Sequence, residues 1–589
     1  MHLHSFTILS AVRSVITLTL CLITSLNCLG QANFKEVAQS LEVDAVQGYG
    51  AAIIDYDNDG LNDLFITARN TLLRLYKNMG DGTFTNTTFR AGLRFTGEYY
   101  QSCWADINND GHLDLYLGKS GNQKNQLFLN DGDGTFTNIS ASAGVDHPGK
   151  TVANMFSDVD GDGFVDLYLA IPHAPNVLYR NNGDLTFTDI TAASGAVDEL
   201  IAMGAGFFDY DNDGDPDLYL VHDTDQANIL YENDGTGKFT DVSVSSGTNY
   251  AGQGMGVDFG DFNNDGFQDI YITNMWANVL YKNNGDGTFE DVTTQAGVGD
   301  EGMGWGITWF DHNNDGWEDI FVTNDAIFLE PENVLYENQK DGTFSIVSES
   351  SVLAGEKASY SVAAGDLDND GDIDLWVGNP SSSFRSELFI NELETGNYIT
   401  LRLAGTESNQ SAIGARVQVD LGDHVMIKEV RSGTGYAQHN SLEVHFGLAE
   451  AQIINKVTVT WPSGTVQEFG NVLPNARYGL KEGGELSPVE IITPIVTSTE
   501  NEAFDSQVSI YPNPARDKLM LDLNSLASKV EHVRITNLTG STELSLDKAE
   551  IAGRAEISLD LSKINPGLKL IRFTFKDGRQ ITRKLFISR

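Results

Sequence analysis

The stretch DYDNDGLND occupies residues 55–63. Asp55, Asp57, Asp59 and Asp63 take its first, third, fifth and ninth places, and Gly60 takes the sixth. Carboxylates this close disfavour one another's ionisation unless a cation lies among them. Gly60 permits the sharp turn that folds alternating side chains around one point. Calcium takes roughly 6–8 oxygen ligands at about 2.3–2.6 Å. Asp55, Asp57, Asp59, the Leu61 carbonyl and Asp63 are the expected donors. The residues that follow, LFIT, read as a strand.

The pattern returns six times, at intervals of 50 to 55 residues. The second loop offers Asp106, Asn108, Asp110, His112 through its carbonyl, and Asp114. The third offers Asp158, Asp160, Asp162, Phe164 and Asp166, and the fourth Asp209, Asp211, Asp213, Asp215 and Asp217. The fifth offers Asp261, Asn263, Asp265, Phe267 and Asp269, and the sixth Asp311, Asn313, Asp315, Trp317 and Asp319. The seventh offers Asp366, Asp368, Asp370, Asp372 and Asp374. The first, fifth and ninth places are always Asp, and the sixth is always Gly. The twelfth place of the first loop is Ile66, where an EF-hand loop puts a bidentate glutamate. A solvated acidic turn explains one such loop, not seven in register.

Each loop sits in a longer repeat. A glycine-rich or apolar run precedes it, as in MGAGFF and GMGWGITWF. Runs such as DLYLV, then LYKN or LYEN, a GDGTF turn and FTDIT follow. These are four short strands per repeat without helical periodicity. A fixed period of about 50 residues signals a repeat architecture. Four strands and seven repeats predict an all-β fold, a seven-bladed β-propeller. The glycines before each loop are expected on the innermost strand, where seven strands crowd the axis. The run FKEVAQSLEV, starting at Phe34, matches the fourth strands, while the seventh repeat lacks one. Residues 34–38 are therefore expected to complete the seventh blade and hide both edges.

These repeats resemble the FG-GAP/VCBS family of calcium-loop propellers over about residues 34–395. The resemblance implies up to seven structural Ca²⁺ ions, with ligands bound elsewhere. Beyond them, AIGARV, GTGY, HFGL and WPSG occur in order. They resemble the ASPIC/UnbV domain, which also follows such propellers in the cartilage acidic protein family. Gln438-His439 departs from the family's usual Ser-Gln. The tail, with YPNP after Ser509 and basic residues at its end, resembles the type IX secretion C-terminal sorting domain of Bacteroidota, an Ig-like β-sandwich. That resemblance implies export through the outer-membrane type IX machinery. The expected organisation is a signal peptide (1–32), the propeller (33–397), a small β-domain (398–483), a linker (484–504) and the sorting sandwich (505–589).

The first 32 residues read as an export signal, cut before Asn33 or Gln31. A membrane anchor is the alternative, since the apolar run nears the span length. Removal takes Cys21, and with the likeliest cuts Cys28, leaving Cys103 alone and read as a small buried hydrophobe. The net charge of −46 argues against nucleic-acid binding, which rests on Lys and Arg. Two functions fit: a secreted or surface-attached binding module for an extracellular glycan or protein, acting as a monomer, or a polysaccharide-active enzyme on the same scaffold. The loops between second and third strands should face away from the metal loops. There, His173, His222, Trp276 and Phe328 are the candidate ligand residues. His439 and His445 lack a third metal ligand or a nucleophile at a persuasive spacing, so no catalytic residue is assigned.

Overall fold

The structure is a computed structural model. It describes residues 33–489 apart from 46, 122, 330, 349–351, 356 and 394–395, and most of residues 509–587. The export signal, most of the linker and the prolines of YPNP lie outside the described residues.

Between Phe34 and Asn391 the described residues form seven antiparallel units of four strands, the first two joined in one larger sheet. The first comprises Gly48–Ile54, Asp63–Leu72, Arg74–Asn78 and Phe84–Asn86. Its second strand runs on to pair with the next sheet, Arg69 opposite Glu98. The inner strands touch in turn, and Gly48–Ile54 touches Ser361–Gly365 of the last sheet, so the sheets form a closed ring. This is a β-propeller. The inner strands are almost wholly buried, as their apolar and glycine-rich composition requires. At Gly204 and Gly256 a Cβ would stand 2.5 and 2.3 Å from the next inner strand's carbonyls, Met255 O and Trp305 O. The glycines thus set the blade spacing at the axis.

The last blade holds Ser361–Gly365, Asp374–Gly378 and Glu387–Asn391, and Phe34–Glu36 is its outer strand. Phe34 lies opposite Asn391 and Glu36 opposite Phe389, and the Val37 N–H donates to Leu388 O at 2.8 Å. One sequence expectation needs amending. Four outer strands run into single-turn helices, Ser140–Ala143, Thr191–Ser194, Ser243–Ser246 and Thr293–Ala296. They are too short to leave a periodic signal. Their entry is marked by a side-chain turn, Asp189 Oδ1 accepting the Thr191 N–H at 3.0 Å.

The β-domain after the propeller has two sheets. One orders Val444–Gly447, Tyr398–Ala404, Ala476–Lys481 and Ser487–Pro488; the other Val425–Glu429, Arg416–Asp420, Ile454–Thr460 and Val466–Val472. Trp461 is buried, its Nε1–H on Gln467 Oε1 at 2.8 Å. One continuous apolar cluster runs from Cys103, Leu167 and Val177 in the propeller to Ile399, Val417 and Trp461 in this domain. Cys103 is buried and unbridged. The C-terminal unit is a separate sandwich of a three-stranded and a four-stranded sheet around Leu519, Val533, Ile571 and Phe573.

Candidate metal centres, their cap and the opposite face

Each acidic loop joins an inner strand to the second strand of its blade. The first-place Asp accepts two backbone bonds: Asp59 N–H and Gly60 N–H reach Asp55 at 3.0 and 2.9 Å. The ninth-place Asp is fully buried. Asp63 accepts the Tyr56 and Asn78 N–H groups at 3.3 and 2.7 Å, and the other six loops repeat this. The fifth-place Asp accepts the seventh N–H, as Asp59 does from Leu61 at 3.0 Å. In four blades the seventh side chain packs on the turn after the third strand, His112 by Gly132, Phe164 by Gly183, Asp215 by Gly235 and Phe267 by Gly285, where Phe267 stands 2.8 Å from where a Cβ would be.

In four loops the first, third and ninth carboxylates bring an oxygen each within 4.8 Å of one another: Asp55/Asp57/Asp63, Asp158/Asp160/Asp166, Asp209/Asp211/Asp217 and Asp366/Asp368/Asp374. The second, fifth and sixth loops have Asn108, Asn263 and Asn313 at the third place, which replaces one carboxylate by an amide. The fifth-place carboxylates are not members of these close sets. A cation fits the geometry. Asp57 Oδ1 and Asp160 Oδ1 are buried with no hydrogen-bond donor. Burial pushes Asp158 and Asp261 up to about 7 and Asp366 up to about 8, despite the backbone N–H groups that favour their charge. Burial also raises all seven ninth-place carboxyls well above the usual range. A divalent ion would supply the charge that these groups lack.

Two further loop elements escaped the sequence reading. The residue ending each third strand is Asn. Its N–H meets the ninth Asp, and its side-chain amide crosses to the neighbouring blade. Asn130 donates to Tyr56 O at 2.9 Å, and Asn78 closes the circle on Leu367 O at 2.6 Å. All seven blades carry this latch. The fourth place is Asn in six loops and Gly161 in the other, and all adopt positive φ, from 53° at Asn264 to 68° at Gly161. Asn and Gly tolerate this region best. Asn58 Nδ2 donates to Gly111 O of the next loop at 2.6 Å. The repetition of both residues was visible in the sequence; their partners, one blade away, were not.

The β-domain sits on these loops as a cap. Five fourth-place Asn oxygens receive it: Asn58 from Arg402, Asn109 from the Gln410 N–H, Asn212 from Arg416, Asn314 from His445 and Asn369 from Arg477. The segment 432–441, SGTGYAQHNS, enters the axis. Gln438 and His439 pair in parallel with Ala51 and Ala52. Phe156 N–H donates to Ser432 O, Gly435 N–H to Ala205 O and Ser441 N–H to Ala364 O, at 3.2, 2.9 and 3.0 Å. Gly50 has no room for a Cβ, which would lie 2.4 Å from Ala437 O. Tyr436 fills the axis against Tyr49 and Trp305, so the channel is plugged. His439 and His445 serve this docking. His439 contacts Trp104 O and Asn440 O, and His445 contacts Thr400 and Asn314. Burial pushes them down to about 4 and about 3, so both are neutral at pH 7.

The opposite face carries the candidate ligand residues, with one correction. His222 is 0% exposed: its ring stands 3.2 Å from Asp198 Oδ2 and 2.7 Å from Ala227 O. It ends the second strand with its side chain turned inward and cannot belong to a surface patch. His173 is exposed, as are Phe328 (63%) and Trp276 (55%). Ile327, beside Phe328, is exposed as well.

Comparison with known proteins agrees with this geometry. The FG-GAP-like repeat matches six overlapping stretches between residues 55 and 377, each running from one acidic loop to the next. The chain belongs to the FG-GAP-like repeat family. Residues 405–487 match the ASPIC and UnbV family, and residues 509–588 the secretion system C-terminal sorting domain. The sorting domain marks this FG-GAP protein for type IX export to the cell surface or beyond. Among the described residues no helix is long and apolar enough to cross a membrane. Over 166 residues the chain is 29% identical to cartilage acidic protein 1 of Homo sapiens, covering 26% of this chain and 25% of that protein. The chain thus spans about a quarter of the curated relatives it matches. An Agrocybe aegerita lectin, titled for recognition of non-reducing terminal N-acetylglucosamine, aligns with 59% of this chain and 86% of its own, at 18% identity and TM-score 0.35. The SapL1 lectin, solved with alpha methyl fucoside, aligns with 51% and 96%, at 11% identity and TM-score 0.33.

Proposed function

We propose that this exported protein is a calcium-braced binding module that takes an extracellular glycan or protein on the propeller face opposite the metal loops. The cap and its plug occupy the other face and the axis. The observation that carries the reading is Trp276. It is 55% exposed and held at φ +78°, with its N–H on Gly302 O at 2.8 Å. A bulky side chain in the left-handed region costs about 1–3 kcal/mol, a cost that clusters at functional sites. An exposed tryptophan so held is a rigid platform for a sugar ring or an apolar side chain. Phe328, in the corresponding loop of the next blade, extends the apolar surface. The loops opposite would hold up to seven Ca²⁺ ions and brace the blades.

The test is a Trp276→Gly variant probed on a glycan array and a panel of extracellular proteins. The parent chain should bind a member of one set. The variant should lose that signal while melting at the same or a higher temperature, because glycine relieves the φ strain. Retained binding removes Trp276 from the site, and a parent that binds neither set refutes the binding-module reading.

A further inference from the structure

The first and fourth loops share their first six residues, Asp-Tyr-Asp-Asn-Asp-Gly, and the ninth aspartate, Asp63 or Asp217. Their carboxylate ligands are therefore alike, and the same three places converge in both. What faces them from the third strand is opposite in sign. Lys77, which precedes the latch residue Asn78, bonds Asp57 Oδ2 and, at 2.7 Å, Asp59 Oδ2. Glu232 precedes Asn233 at the equivalent register and accepts from the Tyr210 hydroxyl at 2.8 Å. The cap repeats the contrast. Arg402 bonds Asp55 Oδ2, whereas Glu429 Oε1 receives the Asp209 N–H at 3.3 Å. Arg416 bonds the fourth loop at the neutral Asn212, and its charge acts on Asp209 against the larger opposing effect of Glu429.

An ammonium between two ligand carboxylates supplies part of the charge that a divalent ion would bring. The ion must displace it or accept a like charge close by. At such separations the Coulomb term is large, and the charge count around a site moves calcium affinity over orders of magnitude. Arg180 and Lys282 hold the same register in the third and fifth blades, but stand 3.7 and 3.8 Å from a single carboxylate each.

We propose that Lys77 is a tethered counter-cation that holds the first loop closed without an ion and makes it the weakest metal site, while Glu232 makes the like-liganded fourth loop one of the strongest. The proposal rests on the reading of these loops as calcium sites. The full exported chain would then fill in a set order, the fourth loop early and the first last.

Calcium isotherms by equilibrium dialysis, with melts in EDTA, test this on the full chain and on Lys77→Gln, Lys77→Arg and Glu232→Gln. Lys77→Gln should tighten the weakest site about tenfold and lower the melting temperature in EDTA, where the tether is lost. Lys77→Arg should keep the site weak. Glu232→Gln should weaken a strong site by a similar factor. If Lys77→Gln does not fold, Glu232→Gln decides, and an unchanged strong site overturns the proposal. A Lys77→Gln isotherm superimposed on the parent's overturns it while leaving the calcium reading intact. A parent that takes up no calcium at millimolar concentration overturns both.

Discussion

Asn130 shows how one amide joins two blades. Its Nδ2 bonds Tyr56 O of the preceding blade and Leu113 O of its own, at 2.9 and 3.0 Å, and the residue is buried. Asn130→Ala leaves both carbonyls without a donor. An unmet buried polar group costs about 1–3 kcal/mol. The melting temperature should fall in calcium and in EDTA alike, because the latch does not depend on the ion. A drop confined to the calcium form would show that the asparagine acts through the metal.

At the scale of the element, Phe34–Glu36 does the work that a covalent link does elsewhere. Three residues complete the last blade, and Phe34 packs on Phe310 of the blade before, ring centroids 6.5 Å apart. Deleting residues 33–40 bares the edge of Glu387–Asn391 and opens the apolar cluster around Phe389. The truncated chain should melt well below the parent and self-associate through that edge. Size-exclusion chromatography and a thermal melt measure both effects; a monomer that melts with the parent contradicts the closure.

For the whole molecule, the buried carboxylates make metal and proton competitors. Asp158, Asp261 and Asp366 are raised by burial to about 7, 7 and 8 without an ion. An unfolded aspartyl group titrates near 3.9. Between about pH 4 and pH 8 the folded apo-protein therefore holds more protons than the unfolded chain, and its stability falls as pH rises. Calcium binding runs the other way, since protons leave the ligands as pH rises. A site at a hundredfold its dissociation constant adds about 2.7 kcal/mol. Melts at pH 5 and pH 8, each with calcium and with EDTA, should show a gap that widens at pH 8. An equal gap at both values would mean that the raised carboxyls do not hold the ion. Because the cap bonds Asn58, Asn314 and Asn369 within these loops, its docking should loosen with the metal.

The sequence by itself determined the strands, the seven acidic turns and the register of the repeat. Each is written locally, in alternating apolar runs and in Asp and Gly at fixed offsets, and repetition amplified a weak local signal. Ring closure was legible for the same reason: an unmatched strand at one end and a missing one at the other. What only the tertiary structure decided joins residues far apart in the chain and outside the period. Arg477 reaches Gly60 O and Tyr436 plugs the axis beside Tyr49. Neither belongs to a repeat, so no periodic pattern marks it. His222 reads as a loop residue but is buried against Asp198, because the side chain follows its strand inward. Local chemistry sets the turns; close packing around a shared axis sets which side chains remain free to meet a ligand.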